Sequence, residues 1–166
     1  MQKTLCAILI IFGCVSVTAP VQAEGWYFGG KLAYFELDIP NVDDPDNAGL
    51  VVGYDWLKNY GIIGIEGEFT TTFEEGNLAD QKIEMDTAGV YATYKSSGHA
   101  SKGMGIYFKV KAGAAYHDLS IGATSKDDTN FSGGVGVGLN MAAVSFELEY
   151  TILDSDIDMI SLLVRF

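Results

Sequence analysis

The sequence predicts an all-β fold: eight antiparallel strands closed into an up-and-down transmembrane β-barrel. Three observations predict it. Stretch after stretch alternates apolar with small or polar residues at a period of two, which puts the two sets on opposite faces of a strand. Beyond an N-terminal apolar run, no segment is long and apolar enough for a spanning helix. The non-apolar face is built of glycine, serine and charge, which suits a crowded barrel interior better than a wet surface.

The first residues have the parts of a secretory leader. Lys3 supplies the positive start, Thr4 to Gly13 is a short apolar run, and Val21-Gln22-Ala23 is a small-x-small cleavage site. Residues 1–23 are therefore expected to be a cleaved signal peptide, and residues 24–166 an outer-membrane barrel domain. A competing reading takes Ile11-Phe12-Gly13-Cys14 as a lipoprotein box, for which Phe12 is bulky. Both cysteines, Cys6 and Cys14, lie in the leader. That excludes a disulfide framework, cysteine nucleophiles and cysteine metal sites from the mature chain.

Eight strands follow: Gly25–Leu37, Ala48–Tyr54, Ile62–Phe73, Ile83–Lys95, Gly105–Leu119, Asn130–Asn140, Ala143–Leu153 and Ile157–Phe166. In the first, Trp26, Phe28, Leu32 and Tyr34 share a face, and Lys31 and Ala33 share the other. The second is short. In the third, Glu66 and Glu68 are on the inward face, as is Lys95 in the fourth. The fifth sets Ile106, Phe108 and Val110 against Lys109, Lys111 and His117. The sixth turns Gly134, Gly136 and Gly138 inward, where small residues make room for long ones from other strands. The seventh sets Phe146, Leu148 and Tyr150 against Glu147 and Glu149. The last sets Ile160, Leu162, Val164 and Phe166 against Met159, Ser161, Leu163 and Arg165.

Aromatics gather near strand ends on the apolar face. Trp26, Tyr54 and Trp56 head a belt at the terminus end, as amphipathic rings do at membrane–water boundaries. Connections on the far side, Asp38–Asn47, Glu74–Lys82, Ser120–Thr129 and Asp154–Asp156, hold half of the acid. With both termini in the periplasm, these loops face outside the cell.

The formal net charge of −12 leaves no basic surface for nucleic acid. The inward charges Lys31, Glu66, Glu68, Lys109, Lys111, Glu147, Glu149 and Arg165, with Lys95, read either as an ion path or as a plug of paired charges. Eight strands enclose a lumen just wide enough for side chains, which favours the plug. His117 with Asp118 and Ser120 is the candidate for catalysis at the outer rim, although no catalytic motif surrounds it. His99 belongs to a terminus-side turn. Asp43-Asp44-Pro45-Asp46-Asn47 groups oxygen ligands without the spacing of a calcium loop, so a solvated acidic loop is the expectation. No cofactor or metal is expected.

Several segments together resemble the OmpA-like transmembrane barrels and the wider outer-membrane "porin family" of Gram-negative bacteria. Trp26-Tyr27-Phe28-Gly29-Gly30-Lys31-Leu32 resembles the family's first strand, and Gly53-Tyr54-Asp55-Trp56-Leu57 its second-strand ending. Leu148-Glu149-Tyr150 is similar to its seventh strand, and Met159-Ile160-Ser161-Leu162 with Arg165-Phe166 to its last. The resemblance implies an outer-membrane location, contact with lipid and lipopolysaccharide, and Phe166 as the terminal aromatic read by the barrel-assembly machinery. One departure is Val51, where such second strands often carry an inward glutamate. The peptidoglycan-binding domain that follows some of these barrels is not expected. The expected role is a non-enzymatic surface protein with a structural, adhesive or host-contact task. The alternatives are a narrow passive pore and a lipid A-modifying barrel enzyme.

Overall fold

A computed structural model describes residues 25–37, 42–58, 61–78, 81–96, 104–141 and 144–166, except the side chains of 57 and 58. The expected leader, 1–23, and His99 lie outside the described residues. The strands are β1 (Gly25–Leu37), β2 (Asp46–Lys58), β3 (Gly61–Glu74), β4 (Gly76–Leu78), β5 (Gln81–Ser96), β6 (Met104–Ile121), β7 (Thr124–Met141), β8 (Val144–Asp154) and β9 (Ile157–Arg165). Eight of them form a ring in the order β3-β2-β1-β9-β8-β7-β6-β5, and β3 pairs with β5 to close it. Every pairing is antiparallel. The closure joins first strand to last, with Gly29 opposite Arg165 and Leu37 opposite Ile157. Phe166 extends the seam, donating its N–H to Phe28 O at 2.8 Å.

The period of two becomes an inside and an outside. Phe131, Leu50, Phe108, Ile106 and Phe28 are among the most exposed side chains, with Phe131 at 81 % and Leu50 at 70 %. A soluble sandwich would pack these residues between its sheets. Here they face away from the ring, where only hydrocarbon is a suitable solvent for them. On the terminus end the belt is contiguous. The Trp26 and Tyr54 rings meet edge to face at 5.3 Å, and the Tyr54 and Trp56 rings lie 4.8 Å apart.

The structure revises three boundaries. β2 runs from Asp46 to Lys58, well beyond the expected Ala48–Tyr54, because it pairs with β3 along its whole length. The expected Ser120–Thr129 loop is mostly strand. β6 and β7 continue past the ring as a hairpin, from Tyr116 opposite Thr129 to Ile121 opposite Thr124. Its turn contains Gly122 at φ 58°, a left-handed conformation that suits the two-residue hairpins matching strand twist. The expected Glu74–Lys82 loop contains β4, which pairs with Gln81–Ile83.

Inside, the end away from the termini is apolar. Phe35, Leu37, Ile83, Met85, Leu153, Ile157 and Met159 form a buried cluster, and Val42 and Leu78 from the loop segments pack against it. The loops are tied over this mouth by reciprocal backbone bonds between Asp43 and Asn77, each 2.8 Å.

Candidate functional site

Below the apolar cluster lies a layer of charge. Lys31, Lys95, Lys109, Lys111 and Arg165 are buried with Asp55, Glu66, Glu68, Glu147 and Glu149. The layer is thus five cations against five carboxylates, neutral as a whole. They come from inward positions of seven strands, β1, β2, β3, β5, β6, β8 and β9, so the layer spans the lumen.

Lys109 Nζ, on β6, is the centre. It lies 2.6 Å from Glu66, 3.0 Å from Glu147 and 2.5 Å from Glu149. Its contact with Glu149 Oε1 is the shortest of the three. Lys31 bridges Glu68 at 2.6 Å and Glu149 at 3.1 Å. Lys111 pairs with the same two carboxylates, reaching Glu149 at 3.2 Å. Nearer the termini, Asp55 takes Lys95 at 3.0 Å and Arg165 at 3.1 Å, and Arg165 reaches Glu147 at 3.2 Å. Pairing of this density is what makes ten buried charges tolerable, since an unpaired one would stay uncompensated away from water.

Tyrosines complete the layer. Tyr27 donates to Glu66 at 2.6 Å, and Tyr107 donates to Glu147. The Tyr27 ring also meets two cations, with Lys95 Nζ 4.4 Å and Arg165 Cζ 4.5 Å from its centroid. Both rings lie over a glycine on the neighbouring strand. A Cβ built on Gly53 would sit 2.3 Å from the Tyr27 ring, and one on Gly138 would sit 2.1 Å from the Tyr107 ring. Gly134 and Gly136 lie beneath Lys111 and Glu149 in the same way. Val51, where an inward glutamate was the family's habit, is buried against Tyr27 and Leu163 instead.

One member of the layer escapes the sequence reading. Asp55 falls beyond the expected end of the second strand, among the terminus-side loop residues. A signal for it exists: without it the inward set has five cations against four carboxylates, an imbalance that a closed interior does not tolerate.

Other candidates do not assemble. The carboxylates of Glu66, Glu68 and Glu149 approach within 4.8 Å of one another, as metal ligands would. The ammonium groups of Lys31, Lys109 and Lys111 already sit among them. His117 is buried on the inward face, with Nδ1 unpartnered among the described residues. Three residues on, Ser120 projects from the opposite face of the same strand. Asp118 is on that outer face too, and its partner there is Ser125. Histidine and hydroxyl are separated by the barrel wall.

The outer rim is acidic. Asp86, Asp118 and Asp127 stand opposite one another across β5, β6 and β7. Glu36 faces Asp158, and Asp46 faces Glu74. Tyr34 and Tyr150 donate to Asp44 (3.0 Å) and Asp158 (2.6 Å), tying the outer aromatics to this rim.

Residues 6–161 match the outer membrane protein beta-barrel domain family. The chain belongs to that family. Membership places this outer-membrane β-barrel in the outer membrane. No curated protein sequence matches it. Among solved structures it is similar to Neisserial surface protein A, NspA, with TM-score 0.57 and 11% identity over 85% of this chain and 96% of that one. It is also similar to Ail, the attachment invasion locus protein of Yersinia pestis, with TM-score 0.51 and 18% identity over 86% of this chain and 97% of that one. Ail bound to the heparin analogue sucrose octasulfate aligns at TM-score 0.50 with 17% identity, again over 86% and 97%. At these identities the likeness is one of fold.

Proposed function

We propose that this outer-membrane β-barrel is a non-conducting, non-enzymatic surface protein whose outer loops make contacts outside the cell. The observation that carries the reading is the double closure of the lumen. A neutral layer of ten buried charges crosses it, and the apolar cluster around Phe35, Met85 and Met159 fills the outer mouth. A passive pore needs an uninterrupted polar path, and the apolar cluster interrupts it. Lipid A chemistry would need a nucleophile and base together, and His117 and Ser120 are on opposite faces of β6. What remains is the rim that the barrel holds above the membrane.

The chemistry of that rim also separates it from Ail's crystallised ligand. A polysulfated sugar needs cations, and this rim presents Asp86, Asp118, Asp127 and their neighbours. The purified barrel in planar bilayers is expected to give no reproducible conductance above the lipid background. Bacteria displaying it are expected to gain adhesion to protein-coated surfaces over the same cells without it. Steady single-channel currents, with no gain in adhesion, would overturn the reading.

A further inference from the structure

β7 is 18 residues long, but β8 pairs only with its Gly133–Met141 half. The other half, Thr124–Ser132, bonds to β6 on one side and has no strand on the other among the described residues. The turn from β8 to β9 ends the neighbouring hairpin near Asp154 and Ile157, so β7 rises past it. Residues Thr124 to Thr129 are exposed. The barrel therefore presents a free strand edge of nine residues, of which Thr124–Thr129 rise beyond the lipid-facing Phe131.

Elsewhere on the described rim, strand ends that lose a neighbour meet side chains or loop backbone. Above Thr87, where β5 loses β3, the Met85 N–H donates to Thr72 Oγ1 at 2.7 Å and Met85 O accepts from Asn47 Nδ2 at 2.5 Å. β4 covers Gln81–Ile83. On β1, the Phe35 N–H reaches Pro45 O at 3.4 Å and the Leu37 N–H reaches Asp44 Oδ1 at 3.1 Å. On the free part of β7, the one amide met by a side chain is Thr129 N–H, which donates to Asp128 Oδ1 at 2.8 Å. The usual edge defences are sparse. The segment has no proline, its register with β6 shows no bulge, and Lys126 is its one lysine.

We infer that the Thr124–Ser132 edge of β7 is a docking site for an extended, basic segment of another protein, which adds to the sheet as a further strand. Backbone N–H and C=O groups supply the pairing, as in strand addition generally. Charge selects the occupant. Asp127 and Asp128 are on the edge, and Asp154 at the end of β8 and Asp156 in the turn after it add to the acid, against the single Lys126. A second copy of this chain would bring the same acids to the same edge, and like charges on paired strands repel. A lysine- or arginine-bearing strand has no such conflict. The inference rests on the surface-contact role proposed above and gives it a partner class.

The test uses the whole barrel in lipid nanodiscs and a nine-residue peptide of alternating valine and lysine. A control peptide of the same sequence is N-methylated at every residue, so its charge is kept and both edges lose their N–H donors. The unmethylated peptide is expected to bind and to slow amide exchange in Thr124–Ser132. Methylation should weaken binding at least about tenfold. Asp127→Asn with Asp128→Asn should weaken it about tenfold, since two cross-strand ion pairs are lost. Equal binding of the methylated peptide would overturn the inference, because charge alone would then account for it. Absence of binding, or protection confined to other segments, would also overturn it. So would a barrel that dimerises through this edge without peptide. Each of these results leaves the conductance measurement unaffected, so failure of the edge and failure of the surface role are read separately.

Discussion

Lys109 is the cation shared by the most carboxylates, and its removal is the sharpest test of the charge layer. Lys109→Met leaves Glu66, Glu147 and Glu149 without the ammonium they surround. Stranding a buried charge in this way costs about 3–5 kcal/mol. Lys95→Met removes a partner from Asp55, which keeps Arg165 at 3.1 Å, so the expected loss is smaller, about 1.5–3 kcal/mol. Urea unfolding followed by the gel shift between folded and unfolded barrel ranks the two; equal losses would mean that the layer is not centred on Lys109. At this scale the sequence was most informative where strand parity was clean. Period-two alternation assigns Lys31, Glu66, Glu68, Lys109, Lys111, Glu147, Glu149 and Arg165 to one face, and their side chains meet in one layer. It cannot say which cation meets which carboxylate, because that depends on the stagger between strands. Nor does it bring in Asp55, which needs the true end of β2.

Among the elements, β7 shows what patterning reads and what it misses. Its inward glycines are legible as room for longer neighbours, and Gly138 gives that room to Tyr107. Gly138→Ala would push a methyl group into that ring and displace its hydroxyl from Glu147. The expected cost is about 1–3 kcal/mol, the range for overpacking a filled interior. In a Tyr107→Leu background the same substitution should cost much less, and a double-mutant cycle measures the difference. The outer half of β7 was not legible. Both faces of Thr124–Thr129 meet water, so the segment lacks the apolar alternation that marks a strand, and its polar residues read as loop. What keeps it extended is the ladder with β6 and the turn at Gly122. Gly122→Ala places a side chain at φ 58°, which costs about 1 kcal/mol or more. Since the turn residues Gly122 and Ala123 are exposed, the expected result is faster amide exchange from Ile121 to Thr124 with an unchanged urea midpoint. A lowered midpoint would show that the hairpin and the ring unfold together.

For the whole molecule, the two closures are independent barriers made of different chemistry. The apolar mouth is held by packing from β1, β5, β8 and β9, and the charge layer by ion pairs reaching across from β1, β3, β6 and β8. Phe35 and Met159 are buried in the mouth at 0% and 1% exposure. Replacing both with serine removes packed volume and admits water to the outer end. Lys31, Lys109 and Lys111 with their glutamates still cross the lumen beneath, so conductance in planar bilayers is expected to stay at background. Stability should fall by several kcal/mol, since truncating a buried aromatic alone costs about 3–5 kcal/mol. If that variant conducts, the charge layer is permeable when wet and the apolar mouth is the sole gate. The barrel would then carry a latent pore closed from the outside, and the strap between Asp43 and Asn77 would be its latch.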